Sequence, residues 1–214
     1  TEWREGLFFT NKDLLQILEQ ILHKEKYNPQ TIDTKLVLLG FSLGGRAALC
    51  LCQSTPEKIG KLVLLAPDGL KVNFWYRLAT QTGLGNKFFH FTMKYPGWFF
   101  GFLKILNKLG LVNASIFKFV NHYIGNAELR HLLYVRWTTL RKLKPDLKLI
   151  KSFVRKNDIQ IRLVYGKHDR IILSSVGERF KKGIEEYCAL SVIHSGHQVL
   201  HEKHINEILP ALLH

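Results

Sequence analysis

The sequence predicts an α/β fold, a mostly parallel sheet flanked by helices with a helical insertion, and three observations predict it. An apolar run, Lys35-Leu36-Val37-Leu38-Leu39, ends in a glycine-flanked serine, Gly40-Phe41-Ser42-Leu43-Gly44. Two further strand-like runs, 159–165 and 190–193, lead straight into the polar loops Gly166-Lys167-His168-Asp169 and His194-Ser195-Gly196-His197. Short strands separated by helical stretches, with polar residues just past their C-terminal ends, are the pattern of an open parallel sheet whose ligand sites lie at those ends.

Taken in order, residues 14–22 place Leu14, Leu15, Ile17, Leu18, Ile21 and Leu22 at helical spacing after a capping region, Thr10-Asn11-Lys12-Asp13. This helix is expected to pack on the sheet. Residues 35–39 form a strand apolar throughout, as a strand buried on both faces should be. The Gly-Phe-Ser-Leu-Gly turn that follows reads as a nucleophile elbow: a strand-to-helix turn tight enough to hold Ser42 in a strained conformation. Glycine at Gly40 and Gly44 is expected to remove the collisions that side chains two residues either side of the serine would make. The elbow lifts the Ser42 hydroxyl to the N-terminus of a helix, where free N–H groups favour negative charge, and puts the Leu43 N–H in position to donate to an oxyanion. Further along come a strand at 61–66, one at 160–165, a helix at 176–187, a strand at 189–193 and a closing helix at 204–213.

The elbow, the Gly166 to Asp169 loop and Ser195-Gly196-His197 together resemble the α/β-hydrolase superfamily, over almost the whole chain except its middle third. The resemblance implies that Ser42 is the nucleophile, His197 the general base and later the acid, and Asp169 the group that orients the imidazole, in the order serine, acid, histidine. Serine is a poor nucleophile until a base takes its proton, and imidazole titrates near neutral pH. Asp68, in Ala66-Pro67-Asp68-Gly69, is the rival for the acid, because some relatives draw it from that loop; a turn-forming Asp-Gly is its plainer reading. His168 and His194 flank the triad, while His201, His204 and His214 belong to the last helix or its surroundings and have no companion ligands that suggest metal. No cofactor is implied. A serine at the elbow argues against haloalkane dehalogenase and epoxide hydrolase chemistry, which in this superfamily uses aspartate there.

The chain has 214 residues and starts with Thr1. Against the family pattern it looks N-terminally truncated, with Thr1-Glu2-Trp3-Arg4 resembling the tail of the loop that follows the fourth strand. The second oxyanion donor, from the loop after the third strand, is then expected to be missing, and the strand before Ser42 is expected to be an unpaired edge, the C-terminal half of the family sheet alone being present.

Residues 1–69 and 151–214 are accordingly assigned to the hydrolase core and 70–150 to an inserted helical cap. Between 70 and 150 stand 13 Lys and Arg against two acids, Glu128 and Asp146, and 16 of the 25 aromatics. Apolar residues recur at helical spacing in 116–124 and 132–143, while Pro96, Gly97, Gly101 and Gly110 are expected to break the rest into short helices. A membrane span through 88–112 is excluded, since Lys94, Lys104 and Lys108 leave only nine uncharged residues in a row where a span needs about 20. Two readings remain: an interfacial element whose aromatics enter the headgroup region while lysines meet anionic lipid, and a cap whose aromatics pack together and roof the site. The sequence favours the cap.

Net charge is +14 and the pI about 9.8, which fits an electrostatic footprint for nucleic acid. The basic residues form no recognisable nucleic-acid motif, however, and no nucleic-acid partner is expected. The cysteines Cys50, Cys52 and Cys188 are three in number, and read as small core residues in a reducing, cytoplasmic compartment. The expected function is that of a serine esterase acting on a small-molecule apolar acyl substrate. Cleavage of a thioester or a carbon–carbon bond, or a non-catalytic or membrane-docking role, are the alternatives.

Overall fold

The computed structural model describes residues 6–25, 35–71, 74–110, 121 and 124–213. In chain order the elements are α1 (Asn11–Lys24), β1 (Leu36–Phe41), α2 (Leu43–Ser54), β2 (Ile59–Leu65), α3 (Phe74–Gln81), α4 (Gly83–Lys94), α5 (Gly97–Lys108), α6 (Ala127–Thr139), α7 (Leu147–Asn157), β3 (Gln160–Gly166), α8 (Ser174–Lys181), β4 (Cys188–Ile193) and α9 (Ile205–Leu213). They divide into two compact units, Phe9–Lys71 with Leu143–His214, and Thr1–Phe8 with Val72–Lys142.

The first unit is built on a four-stranded parallel sheet in the order β1-β2-β3-β4. Parallel neighbours need a crossover, and α2, α7 and α8 each lie between consecutive strands. Side chains alternate across the sheet. Leu62 and Leu64 of β2 join Ile161, Leu163 and Tyr165 of β3 in one core, with Leu49, Ile150, Val154 and Phe180 from the helices. Val63 and Leu65 face the other way with Val164, Ile193 and Ile208. The middle strands are therefore buried on both sides, which is why their sequences are almost wholly apolar.

β1 takes the edge position expected of it, but it is not buried on both faces as its apolar run predicts. Among the described residues it is the edge strand, and Val37 and Leu39 are 52% and 43% exposed, while Leu38 packs on the core. The face that carries Val37 and Leu39 is thus covered only at its C-terminal end, where Phe41 packs on the second cluster. α1 is capped as its sequence predicts: the Thr10 hydroxyl accepts the Asp13 N–H, and the Asp13 carboxylate accepts the Thr10 N–H at 2.7 Å. It lies against α2, not on the sheet as expected, and none of its residues is buried; Ile17 and Ile21 stay exposed.

α7 starts at Asp146, whose carboxylate accepts the Lys148 and Leu149 N–H groups, and stops where Asp158 turns left-handed at φ 57°. α8 ends at Lys181, short of the expected 187, because Gly183 adopts φ +81° and its N–H is held by the Glu185 carboxylate. The closing helix is preceded by a 3₁₀ turn, Glu202–His204.

The second unit is helical. Thr82 caps α4 and Asn126 caps α6. Phe89 of α4 meets Tyr134 and Trp137 of α6 at ring separations of 5.5 Å, and Tyr76 meets Trp137 at 5.2 Å. Leu103 and Ile124 form a small buried cluster with Met93, Phe99 and Phe100. Arg130 ties this layer together by donating to the carbonyls of Met93 and Ile124. The chain does break at Pro96, between α4 and α5, but Gly101 lies inside α5, and a Cβ there would meet open space. Most of the expected helical stretch 116–124, the segment Thr1-Glu2-Trp3-Arg4 and His214 lie outside the described residues. Among the described residues no helix is long and apolar enough to cross a membrane.

Candidate active site

The site is assembled at the C-terminal ends of β1, β3 and β4. Ser42 stands between β1 and α2 at φ 49°, ψ −115°, a conformation costing a non-glycine residue about 1 to 3 kcal/mol. Its backbone is tied to the end of β2 on both sides. The Ser42 N–H donates to the Leu65 carbonyl at 2.9 Å, and its carbonyl accepts from the N–H groups of Asp68 at 2.8 Å and Gly45 at 2.9 Å. These bonds over-determine the strained turn. The loop after β2 that carries Asp68 is itself bent sharply, with Ala66 at φ 40°.

Two glycines make the elbow possible, and only one is among those the sequence suggested. A Cβ on Gly40 would sit 2.6 Å from the Gly44 carbonyl oxygen and 2.8 Å from the Gly45 Cα. A Cβ on Gly44 would meet nothing within 4 Å, so its expected steric role is not there. Gly45 carries it instead: a Cβ at that position would fall 2.5 Å from the Cβ and 2.8 Å from the Cα of Pro67. The helix start must pass under the β2 loop, and glycine alone allows the approach.

Asp169 and His197 arrive on two loops sewn together. The Lys167 N–H donates to the Ile193 carbonyl at 2.8 Å and the His168 N–H to the Ser195 carbonyl at 2.9 Å. The loops approach so closely that a Cβ on Gly166 would overlap the Ser195 and Gly196 carbonyl oxygens. Ser42 Oγ lies 3.1 Å from His197 Nε2, and His197 Nδ1 lies 2.8 Å from Asp169 Oδ2. The other carboxylate oxygen of Asp169 accepts the N–H groups of Ile171 at 2.8 Å and Ile172 at 3.0 Å. Burial of the Asp169 side chain pushes its pKa upward, but the hydrogen bonds from His197, Ile172 and Ile171 outweigh this and hold the carboxyl below its usual range. A carboxylate that accepts from Nδ1–H leaves Nε2 free to accept the serine proton, which fixes the tautomer this arrangement needs. The Phe41 ring lies against His197, with centroids 5.4 Å apart.

Leu43 is the first residue of α2, so its N–H has no acceptor within the helix and points past the helix N-terminus beside Ser42. Asp68, the rival acid, is engaged elsewhere: one carboxylate oxygen pairs with Arg46 and the other accepts the Gly69 N–H at 2.7 Å. His168 and His194 meet each other at 3.1 Å between their Nε2 atoms and take no part in the Ser42 relay. Among the described residues no group of three or more His, Cys, Asp or Glu side chains is placed to hold a metal ion. Sequence reasoning missed the support from Ala66-Pro67-Asp68, whose only signal was a turn-forming Pro-Asp-Gly after a strand.

The chain resembles several solved hydrolases. A carboxylesterase of the thaumarchaeon Nitrososphaera gargenis is 18% identical, with 99% of this chain and 77% of that one covered and a TM-score of 0.56. A thermophilic esterase from Thermogutta terrifontis is 14% identical over 98% of this chain and 72% of that one, with a TM-score of 0.61. A 2-hydroxy-6-oxo-6-phenylhexa-2,4-dienoate hydrolase from Rhodococcus sp. strain RHA1 is 18% identical over 99% and 74%, with a TM-score of 0.53. At these identities the likeness is one of fold. No curated protein matches the sequence significantly. A family model for the alpha/beta hydrolase fold matches residues 9–204, and the chain belongs to that family.

Proposed function

We propose that the protein is a serine hydrolase that works through an acyl-enzyme, with carboxylic esters of apolar acyl groups as its substrates. The observation that carries this reading is the continuous relay from Ser42 Oγ through His197 to Asp169, at 3.1 and 2.8 Å, on a strained turn at a helix N-terminus. Hydrogen bonding alone would not require that strain, so its retention at the serine favours a chemical role.

In the proposed reaction His197 Nε2 takes the Ser42 proton as Oγ attacks the ester carbonyl carbon. The carbonyl oxygen becomes an oxyanion, which the Leu43 N–H and the positive end of α2 stabilise. The resulting imidazolium faces the ionised Asp169 carboxylate. As the carbon–oxygen bond to the leaving group breaks, His197 returns the proton to the departing alcohol and Ser42 remains acylated. Water then attacks the acyl carbon while His197 again accepts a proton, and the collapse of the second tetrahedral intermediate releases the acid and restores the Ser42 hydroxyl. No cofactor enters any step.

Phe41 and Leu43, on either side of the serine, support an apolar acyl group. In this reading Phe9–Lys71 with Leu143–His214 is the hydrolytic core and 72–142 the cap, so that Ile150 and the rest of α7 go with the core and not with an insertion reaching 150. Cys50, Cys52 and Cys188 are free and buried, which suits a reducing compartment such as the cytoplasm. The test is hydrolysis of p-nitrophenyl esters of increasing acyl length. Turnover that disappears in Ser42→Ala supports the reading; turnover that survives in Ser42→Ala, or none by the wild type on any ester, overturns it.

A further inference from the structure

The helices α4 and α5 each carry a second apolar face. Their inner faces are spent: Phe89 packs on Tyr134 and Trp137, and Leu103 on Ile124. Yet Leu84, Phe88, Phe91 and Tyr95 follow one another at helical spacing along α4 and its C-terminus, and all are exposed, Leu84 at 83% and Phe88 at 56%. Trp98, Phe102, Ile105 and Leu109 do the same along α5, with Ile105 and Leu109 at 60% and 64%. The two rows touch. Trp98 stacks beside Phe91 and lies 4.9 Å from the Phe88 ring, so the exposed residues form one continuous surface. A contiguous apolar patch of this kind marks a binding face.

Its charges say what it binds. Lys87, Lys94, Lys104 and Lys108 are exposed on the same two helices, and no Asp or Glu occurs anywhere from Gly83 to Gly110. Lys94 reaches over the Tyr95 ring at 5.5 Å. A second copy would set lysines against lysines across an isologous contact, which repels. Neither helix has the length to cross a membrane. Aromatic and aliphatic side chains at the centre, lysines whose stems can lie along the apolar surface while their ammonium groups reach outward, and no acid are together what a helix pair needs to lie in a bilayer interface.

We propose that the exposed face of α4 and α5 docks the protein on an anionic phospholipid surface. Leu84, Phe88, Trp98, Phe102 and Ile105 enter the headgroup boundary, and the four lysines meet lipid phosphates and carboxylates. The attachment is reversible and salt-sensitive, and it does not depend on Ser42 chemistry.

The test is sedimentation of the protein with vesicles of phosphatidylcholine alone and of phosphatidylcholine with about 30% phosphatidylserine. The protein is expected to bind the anionic vesicles and to be released as NaCl is raised from about 0.05 to 0.5 M. Reversing the charges (K87E, K94E, K104E and K108E together), and separately F88S with F102S, should each weaken binding at least about tenfold with unchanged far-ultraviolet circular dichroism. Equal binding to neutral and anionic vesicles, or none to either, overturns the proposal. So does a wild-type dimer in solution that F88S with F102S converts to a monomer, which would assign the face to a second copy. The salt series on the wild type needs no variant and decides the electrostatic part even if one misfolds.

Discussion

Arg46 and Asp68 form an ion pair, with Nη2 and Oδ2 2.5 Å apart and the arginine side chain almost wholly buried. Asp68 is thereby committed to the first turns of α2, and its backbone N–H to the Ser42 carbonyl. The acid one strand-end away from Ser42 thus braces the elbow, while Asp169 faces the histidine. Asp68→Asn is accordingly expected to lower the melting temperature but to keep kcat within about tenfold of wild type. Asp169→Asn should cost roughly 10⁴-fold in kcat, the usual result of amidating the acid that orients a catalytic imidazole. Parallel melting curves and ester kinetics on the two variants separate the roles; a dead Asp68→Asn enzyme beside an active Asp169→Asn enzyme would reverse them.

Ser42→Ala and His197→Ala are each expected to abolish turnover, and the double variant to be no worse than either alone. The two residues move one proton, so their losses do not add. Additive losses in kcat/KM would mean that they act independently.

The glycines of the elbow give a prediction about stability. Gly40→Ala and Gly45→Ala force a methyl group against backbone, and each should destabilise by about 1 to 3 kcal/mol. Gly44→Ala, with open space around its Cβ and a helical position, should be neutral or stabilise by up to about 1 kcal/mol. Denaturant titration of the three variants tests this order, and an equally damaging Gly44→Ala would contradict it.

The candidate site was legible in the sequence where its signals are local. Ser42, Asp169 and His197 each lie a few residues past a strand of apolar residues, and parallel strands deliver such positions to one edge of the sheet. Which glycine the elbow needs could not be read in this way, because Gly45 is constrained by Pro67, a residue on a different strand's loop. The same holds for Asp68, whose partner Arg46 is 22 positions away. The apolar run of β1 looked like a strand covered on both faces, since sequence records a residue's hydrophobicity but not which neighbours reach it. In α5, Gly101 has the composition of a break, yet the packing of Phe99, Phe100 and Leu103 on either side carries the helix through it.

Acid sensitivity should trace to Asp169. Its folded-state pKa is depressed, so the stability it contributes is complete above the ordinary aspartate value of about 3.9 and is lost as pH falls through the lower folded value. Asp169→Asn should flatten that acid limb of the stability profile. An unchanged limb would place the acid-labile group elsewhere.

The cysteines act at the opposite end of the scale. Burial pushes Cys50 and Cys52 up to about 12 and Cys188 to about 11. Unfolded thiols ionise near 8.5, so the stabilisation from keeping these groups neutral is complete below that pH and declines as pH rises through 8.5 toward the folded values. At neutral pH the native protein should react with a thiol reagent far more slowly than the unfolded protein. Fast native modification of any of the three would show an accessible thiolate.

Activation of Ser42 as a nucleophile is tested by mass spectrometry after treatment with a fluorophosphonate. One covalent adduct per chain is expected, located on Ser42, absent in Ser42→Ala and strongly slowed in His197→Ala. A wild-type protein that folds and takes no label, or takes it on a serine other than Ser42, would contradict it.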